Sequence, residues 1–360
     1  MARHTTEVNT KVDRKGQWRA RGCVPALFFM LAATVALAWP PPGWGAQEHN
    51  CRFWACAADG IPVFVITDHL ATLPNSIEHL SPGNPSGWGV AFYSDGAAPT
   101  IRRGAPAAYL DPQFDVAVAE AAAASAWVAV SHIRACSSGL CNIPNPHPFA
   151  RQKNGKHWLM GHNGTISKET LLDLIRPEFF EANPPQYGTT YPEWIDSDLY
   201  FIYILQTLED FGWDIKRGLG EVVERLRAAI PGDEEELNFF LTDGNAIWAY
   251  REGRSLYYLY EPQGTRQRAF TPLRCGPDGN PEPVEQTSTA GDLRTADRPA
   301  LAMGEPASPA RPRQCGTPYS AVASQYPSAA QGNWIEIEEG QIITLAPTQP
   351  PTVEDIEIYF

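Results

Sequence analysis

From residue 51 onward the chain is a series of short apolar runs, most alternating with polar positions and most bounded by Gly, Asp, Asn or Pro. Alternation at spacing two predicts strands, and spacing of three to four predicts amphipathic helices. Strand character is expected through 51–65, at Gly87–Tyr93 with a return through Thr100–Arg102, at Trp127–His132 and at His157–Gly161. Three further strands at hairpin spacing are expected at Leu237–Thr242, Ala246–Arg251 and Ser255–Tyr260, and later ones at Tyr319–Ser324, Trp334–Ile337 and Gln341–Leu345.

Helical spacing is rarer. Asp68–Leu80 reads as two short helices broken at Pro74-Asn75, and Asp111-Pro112 opens a capped helix to about Ala124. Ser167 caps Lys168–Ile175, and Ile215–Ile230 is amphipathic. Leu199–Leu208 is apolar almost all round and predicts a buried helix. The span 262–318 has no periodicity and ten prolines, so it reads as an irregular surface insert, with 346–360 as a tail.

Residues 1–50 differ in kind. Six Lys/Arg against three Asp/Glu give this stretch +3, and since the whole chain is −13, the remainder carries −16. The Val24–Ala38 run is fifteen residues, short for a membrane span and suited to a signal-peptide core. Cleavage near Ala46 predicts export, to the periplasm or beyond; an uncleaved anchor is the less favoured reading. The acidic remainder argues against nucleic acid as a partner and against stable membrane association once the leader is removed.

Removing 1–46 takes Cys23 and leaves six of seven cysteines. No CxxC pair or His-rich cluster gives metal-ligand spacing, so no metal is expected. Cys136 with Cys141, and Cys275 with Cys315, are reasonable disulfide pairs in an exported protein, but spacing alone does not fix them. Cys51 and Cys56 would be left over.

Five islands stand out: Cys51-Arg52-Phe53-Trp54-Ala55; Gly87-Trp88-Gly89; His132-Ile133-Arg134-Ala135; Asn145-Pro146-His147-Pro148-Phe149 with His162-Asn163-Gly164; and Asp196-Ser197-Asp198. Together and in order they resemble the class II glutamine amidotransferase domain of the N-terminal-nucleophile hydrolases, in its stand-alone form. The resemblance covers about 51–260 and 319–345. It implies an α+β fold, a four-layer αββα sandwich with two antiparallel sheets, in a domain over 51–345 interrupted at 262–318. It also implies an amide hydrolase that cleaves a γ-glutamyl amide bond without a cofactor.

The residues suit that chemistry. A cysteine at a freed N-terminus carries both a thiol and an α-amine whose ordinary pKa is about 8, so nucleophile and base share one residue. The resemblance gives Cys51 this role and gives Asn163 and Gly164 the oxyanion site. Arg134 would hold the substrate α-carboxylate and Asp196 its α-ammonium, with Gly87 and Trp88 bringing a strand close by. Blander readings stand beside these: Asn163-Gly164 as an ordinary turn, Arg134 paired with Asp196, Asp196 as a helix cap, and Trp88 as a core residue. His132, His147 and His162 are expected to support the site, since the α-amine already serves as base.

After Arg134 the chain reads Ala-Cys-Ser-Ser-Gly, unlike the synthase-fused members, which puts strict glutamine specificity in question. The expected partner is a small γ-glutamyl compound; no protein partner is indicated. Alternatives are a glutaminase subunit supplying ammonia to a separate synthase, and an inactive binding module whose Cys51 is never exposed. For catalysis, residues 47–50 must also go, either through signal processing at Asn50 or through a second trimming or self-cleavage step that removes them as a short propeptide.

Overall fold

The computed structural model describes residues 50–96, 98–141, 143–230, 236–262, 273–275, 281–283, 317–328 and 331–356. The expected leader, most of the expected insert and the expected Cys275–Cys315 pairing lie outside the described residues.

Two antiparallel sheets form the centre. The first comprises β1 (Arg52–Ala58), β2 (Trp88–Tyr93), β3 (Thr100–Gly104), β4 (Val128–Ile133), β9 (Tyr257–Glu261), β12 (Tyr319–Ala323) and β13 (Ile335–Glu336), in the order β13-β9-β12-β1-β4-β2-β3. The second comprises β5 (Phe149–Lys153), β6 (Lys156–Asn163), β7 (Asn238–Thr242), β8 (Ile247–Tyr250), β14 (Gln341–Ala346) and β15 (Gln349–Asp355), in the order β15-β14-β8-β7-β6-β5. Within the insert, β10 (Leu273–Cys275) pairs with β11 (Pro281–Pro283).

Alternation along each strand divides the core into three slabs. On β1, Phe53, Ala55 and Ala57 face the second sheet and meet Phe240, Ile247 and Leu345. Trp54, Cys56 and Ala58 face the other way. That outer face is covered by α1 (Val63–Thr67), α2 (Ile77–Leu80) and α3 (Pro112–Ala123). The outer face of the second sheet is covered by α4 (Lys168–Leu174), α5 (Pro177–Ala182), α6 (Asp196–Asp210) and α7 (Ile215–Ala229). The layers therefore run helix, sheet, sheet, helix, as expected. Burial of each large side chain in these slabs contributes about 1.5–3 kcal/mol.

α6 is buried from Asp196 through Leu208, which explains its all-round apolar composition. Asp111 caps α3 by accepting from Gln113 N at 3.0 Å, and Ser167 caps α4 by accepting from Thr170 N at 3.1 Å.

Four expectations need correction. Strand character stops at Ala58, because Pro62 precedes a helix whose Val65 and Ile66 pack beneath the first sheet. The third strand of the Leu237–Tyr260 series leaves its neighbours. β9 pairs with β12 and β13 in the first sheet, while the free edge of β8 is taken by β14. The tail is not a tail: Gln349–Asp355 pairs antiparallel with β14. Pro350 and Pro351 are tolerated there because β15 is an edge strand. Finally, β5 falls in a span for which no element was expected. Its turn, Asn154-Gly155, has φ of 50° and 69°, the left-handed pair of a two-residue hairpin.

Candidate active site

The first residues of β1, the end of β4 and the start of β2 lie side by side. Arg52 sits opposite Ile133, so one step further Cys51 comes opposite Arg134. Arg134 N donates to Gly87 O at 3.0 Å, and Ser86 N donates to Arg134 O at 3.0 Å. Gly87 has φ +92°, and a Cβ there would lie 2.3 Å from Gly104 O, so only glycine fits. Cys51 shares its side of the strand with Phe53 and Ala55 and so opens toward the second sheet. On that sheet Leu159, Gly161 and Asn163 alternate toward the same gap, with Leu159 in the inter-sheet core and Gly161 against Phe240. Cys51 and Asn163 thus end their strands facing one space.

Cys51 is half-buried and not in a disulfide, and its Sγ–H donates to Ala135 O at 3.6 Å. Burial pushes the thiol above the ordinary cysteine range. The Ala135 bond and the Arg134 charge pull it down, and Asp196 pushes it up again. As the side chain stands, it is a thiol, not a thiolate. Arg52 Nη1 donates to Asn50 O and Cys51 O, both at 3.0 Å, fixing the backbone on either side of the Asn50–Cys51 peptide.

Arg134 is 2% exposed and Asp196 is 3% exposed, yet among the described residues no ion pair within 4.0 Å involves either. Arg134 Nη1 donates to Leu140 O and Nη2 to Ser138 O, each at 2.7 Å. Burial draws its pKa down, opposed by Cys51 and Asp196. Asp196 is the first residue of α6 rather than its cap, which is Ile195. Its Oδ2 accepts from Ile166 N at 3.1 Å and so holds the loop that follows Asn163-Gly164. Arg134 and Asp196 thus lie near enough to feel each other's charge, yet each is hydrogen-bonded to backbone and they form no direct ion pair.

Asn163 is buried at the end of β6, and its Oδ1 has no hydrogen-bond partner among the described residues. A Cβ on Gly164 would lie 2.0 Å from Glu236 O, so the backbone passes there only as glycine. The structure thus gathers Cys51, Arg134, Gly87, Asn163, Gly164 and Asp196 around the mouth between the two sheets.

It does not bring Trp88 there. The Trp88 ring lies on the opposite face of β2, edge-on to Phe114 of α3, with Nε1 donating to Asp111 Oδ2 at 2.9 Å. The β2 position turned toward the gap is Gly89, where a Cβ would lie 2.0 Å from His147 O, so the strand backbone itself lines that side. The core reading of Trp88 is the one that its contacts match.

Three buried imidazoles stand behind the mouth. His132 Nε2 reaches His162 O at 3.0 Å and must carry the hydrogen, which joins β4 to β6 across the two sheets. Its Nδ1 then accepts from Asn145 Nδ2 at 3.2 Å. Asn145 Oδ1 accepts from His147 N at 3.0 Å and from His147 Nδ1 at 3.2 Å. His147 stacks on His132 with ring centroids 4.1 Å apart. His162 Nε2 donates to Glu236 O at 2.8 Å, and its Nδ1 lies 3.0 Å from Ser197 Oγ. Burial lowers all three pKa values, that of His132 to about 3. These rings are neutral spacers at ordinary pH. Asn145 links the two stacked rings, and its place two residues before His147 in one of the islands is the sequence signal for that link.

Cys136 and Cys141 form a disulfide, and Cys56 is buried and free. Among the described residues no group of three or more His, Cys, Asp or Glu is arranged to hold a metal, and no helix is long and apolar enough to cross a membrane.

A family model described as class II glutamine amidotransferases matches residues 77–273. An uncharacterized protein of Methanocaldococcus jannaschii is 29% identical over 202 residues, which is 52% of this chain and 48% of that protein. A protein of Haemophilus influenzae named "Putative glutamine amidotransferase" is 29% identical over 173 residues, 48% of this chain and 53% of its own length. The chain thus spans about half the length of these two relatives. Among solved structures, a glutamine aminotransferase class-II domain protein from Silicibacter pomeroyi covers 85% of this chain and 99% of its own, with TM-score 0.45 and 19% identity. The glutamine phosphoribosylpyrophosphate amidotransferase of B. subtilis covers 86% of this chain and 50% of its own, with TM-score 0.46 and 13% identity.

Proposed function

This chain belongs to the class II glutamine amidotransferases, and from that premise we propose that it hydrolyses the γ-glutamyl amide bond of glutamine or another γ-glutamyl compound through a thioester on Cys51. The observation that carries the proposal is the unpaired couple Arg134 and Asp196, buried beside the Cys51 thiol. A zwitterionic amino-acid head neutralises both at once: its carboxylate meets the guanidinium and its ammonium meets Asp196.

With the head held there, the side-chain amide extends toward Cys51. The freed α-amine takes the thiol proton, Sγ attacks the δ-carbonyl carbon, and the oxyanion is received by the Asn163 amide and the Gly164 N–H. Each such donor is worth roughly 3–4 kcal/mol. Collapse breaks the C–N bond, the α-ammonium returns its proton to the departing amine, and a thioester remains. Water, deprotonated by the same amine, then releases the γ-carboxylate. The buried histidines hold β4 against β6 and take no proton in this cycle.

The amine exists only if the Asn50–Cys51 bond is cut. The proposal therefore includes export through the 1–46 leader and removal of 47–50. A disulfide at Cys136–Cys141 is in keeping with an oxidising compartment. Hydrolysis to water is preferred over ammonia delivery, because an exported enzyme has no evident synthase to feed.

A substrate screen tests this reading. Mature protein should release glutamate from L-glutamine or from γ-glutamyl amides, and should spare the matching amides that lack the α-carboxylate. Equal turnover of both sets would exclude the assigned role of Arg134, and equal turnover of amides that lack the α-ammonium would exclude that of Asp196.

A further inference from the structure

The hexapeptide closed by the Cys136–Cys141 disulfide touches both ends of the charged couple. On one side Ser138 O and Leu140 O receive the two Arg134 donors at 2.7 Å. On the other, Leu140 N donates to Glu193 O at 3.1 Å and Asp196 N donates to Ser138 Oγ at 3.4 Å. Between them Gly139, at φ +66°, lies so close to the 193–195 segment that a Cβ would come within 2.6 Å of Trp194 O. The loop is thus a spacer wedged between the arginine and the first turn of α6.

The backbone just before the loop is held independently. Arg134 N donates to Gly87 O at 3.0 Å, and Cys136 N donates to Ser86 Oγ at 3.1 Å. Ala135, whose carbonyl receives the Cys51 thiol, lies between these anchors. What the disulfide adds is closure of the far half of the loop, where the two carbonyls that aim the guanidinium reside.

We propose that the Cys136–Cys141 disulfide fixes the separation of Arg134 from Asp196 and so makes recognition of the substrate's amino-acid head dependent on the redox state of this pair. This rests on the amino-acid-head reading given above. A dithiol reductant supplies two electrons and two protons, the S–S bond opens to two thiols, and the reductant leaves as its own disulfide. Ser138 O and Leu140 O then turn to water and Arg134 loses its fixed aim. Cys51 and the Asn163-Gly164 end of β6 stay in place, so ground-state binding suffers and the chemical step does not.

The test compares mature protein before and after a dithiol reductant, and a Cys136→Ser/Cys141→Ser variant without reductant, with the thiol state read by peptide mass. Reduction should raise KM for L-glutamine about tenfold while kcat stays within about threefold, since part of a charge-assisted hydrogen-bond pair is lost. The double variant should match the reduced protein and ignore reductant. Unchanged KM with both thiols shown to be free overturns the proposal. So does a joint collapse of kcat and Tm, which would make the disulfide a plain structural staple.

A second readout distinguishes loss of the disulfide from failure to recognise the amino-acid head. 6-Diazo-5-oxo-L-norleucine, which carries the amino-acid head, should label Cys51 more slowly after reduction, whereas neutral iodoacetamide should alkylate Cys51 at an unchanged rate. If oxidised protein resists the diazoketone while iodoacetamide still reacts at Cys51, the amino-acid-head reading itself falls, and this proposal with it.

Discussion

Arg134 and Asp196 carry opposite charges, are both buried, and do not pair. Each is instead committed to backbone: Arg134 to Ser138 O and Leu140 O, Asp196 to Ile166 N. A buried ion pair in that position would have been self-sufficient. Two backbone-oriented charges of opposite sign are what the proposed binding of a zwitterionic head draws on.

Arg134→Lys should raise KM for substrates with a free α-carboxylate by roughly 10- to 100-fold, with a much smaller effect on kcat. A single ammonium cannot donate to both loop carbonyls and still present a planar fork to a carboxylate, and a charged hydrogen bond is worth about 1.5–3 kcal/mol. Steady-state kinetics on L-glutamine checks this, and an unaltered KM would remove Arg134 from substrate binding.

Asn163→Ala should lower kcat by about 10²–10³ with little change in KM, because an oxyanion donor acts mainly in the transition state. Gly164→Ala should behave differently. Its Cβ would fall 2.0 Å from Glu236 O, so the backbone just before β7 must shift at a cost of about 1–3 kcal/mol. Urea denaturation distinguishes the two: Asn163→Ala should unfold near the wild-type midpoint and Gly164→Ala well below it.

Acid should destabilise the fold before its carboxylates titrate. His69, which accepts from Trp54 Nε1 at 3.0 Å, and His132 are both held by burial at pKa values of about 3, against 6.5 when unfolded. Between those values the unfolded chain binds protons that the folded chain refuses. Each ring's contribution is therefore complete above about pH 6.5 and is lost as pH falls toward 3, at about 1.4 kcal/mol per pH unit. Unfolding free energy measured between pH 6 and 5 should fall with a slope of several such increments. His69→Gln should remove about one increment from the slope, and an unchanged slope would mean that His69 is protonated in the folded state.

Much of this was legible in the sequence because the signals were local. Asp111 and Ser167 announce their helices through caps, and the all-round apolar Leu199–Leu208 run announces burial between a sheet and other helices. Lost were features that depend on partners distant in sequence. Nothing within Ser255–Tyr260 says that this strand joins the sheet of Tyr319–Ala323 rather than that of its own hairpin neighbours. Pro350-Pro351 reads as a tail until β14 provides an edge for β15. At the site, the islands named the residues, but strand parity decides which side chains reach the mouth. Gly87 and Trp88 are adjacent, and alternation sends the Trp88 ring to the helix layer.

The most direct measurement is the intact mass and N-terminal sequence of the active protein, taken together with the activity of Cys51→Ser. Active molecules should begin at Cys51, molecules retaining Gln47–Asn50 should be inert, and Cys51→Ser should fold normally but lose activity by about 10³-fold or more. Active protein that begins before residue 51, or a Cys51→Ser variant that turns over at the wild-type rate, would contradict an N-terminal Cys51 nucleophile.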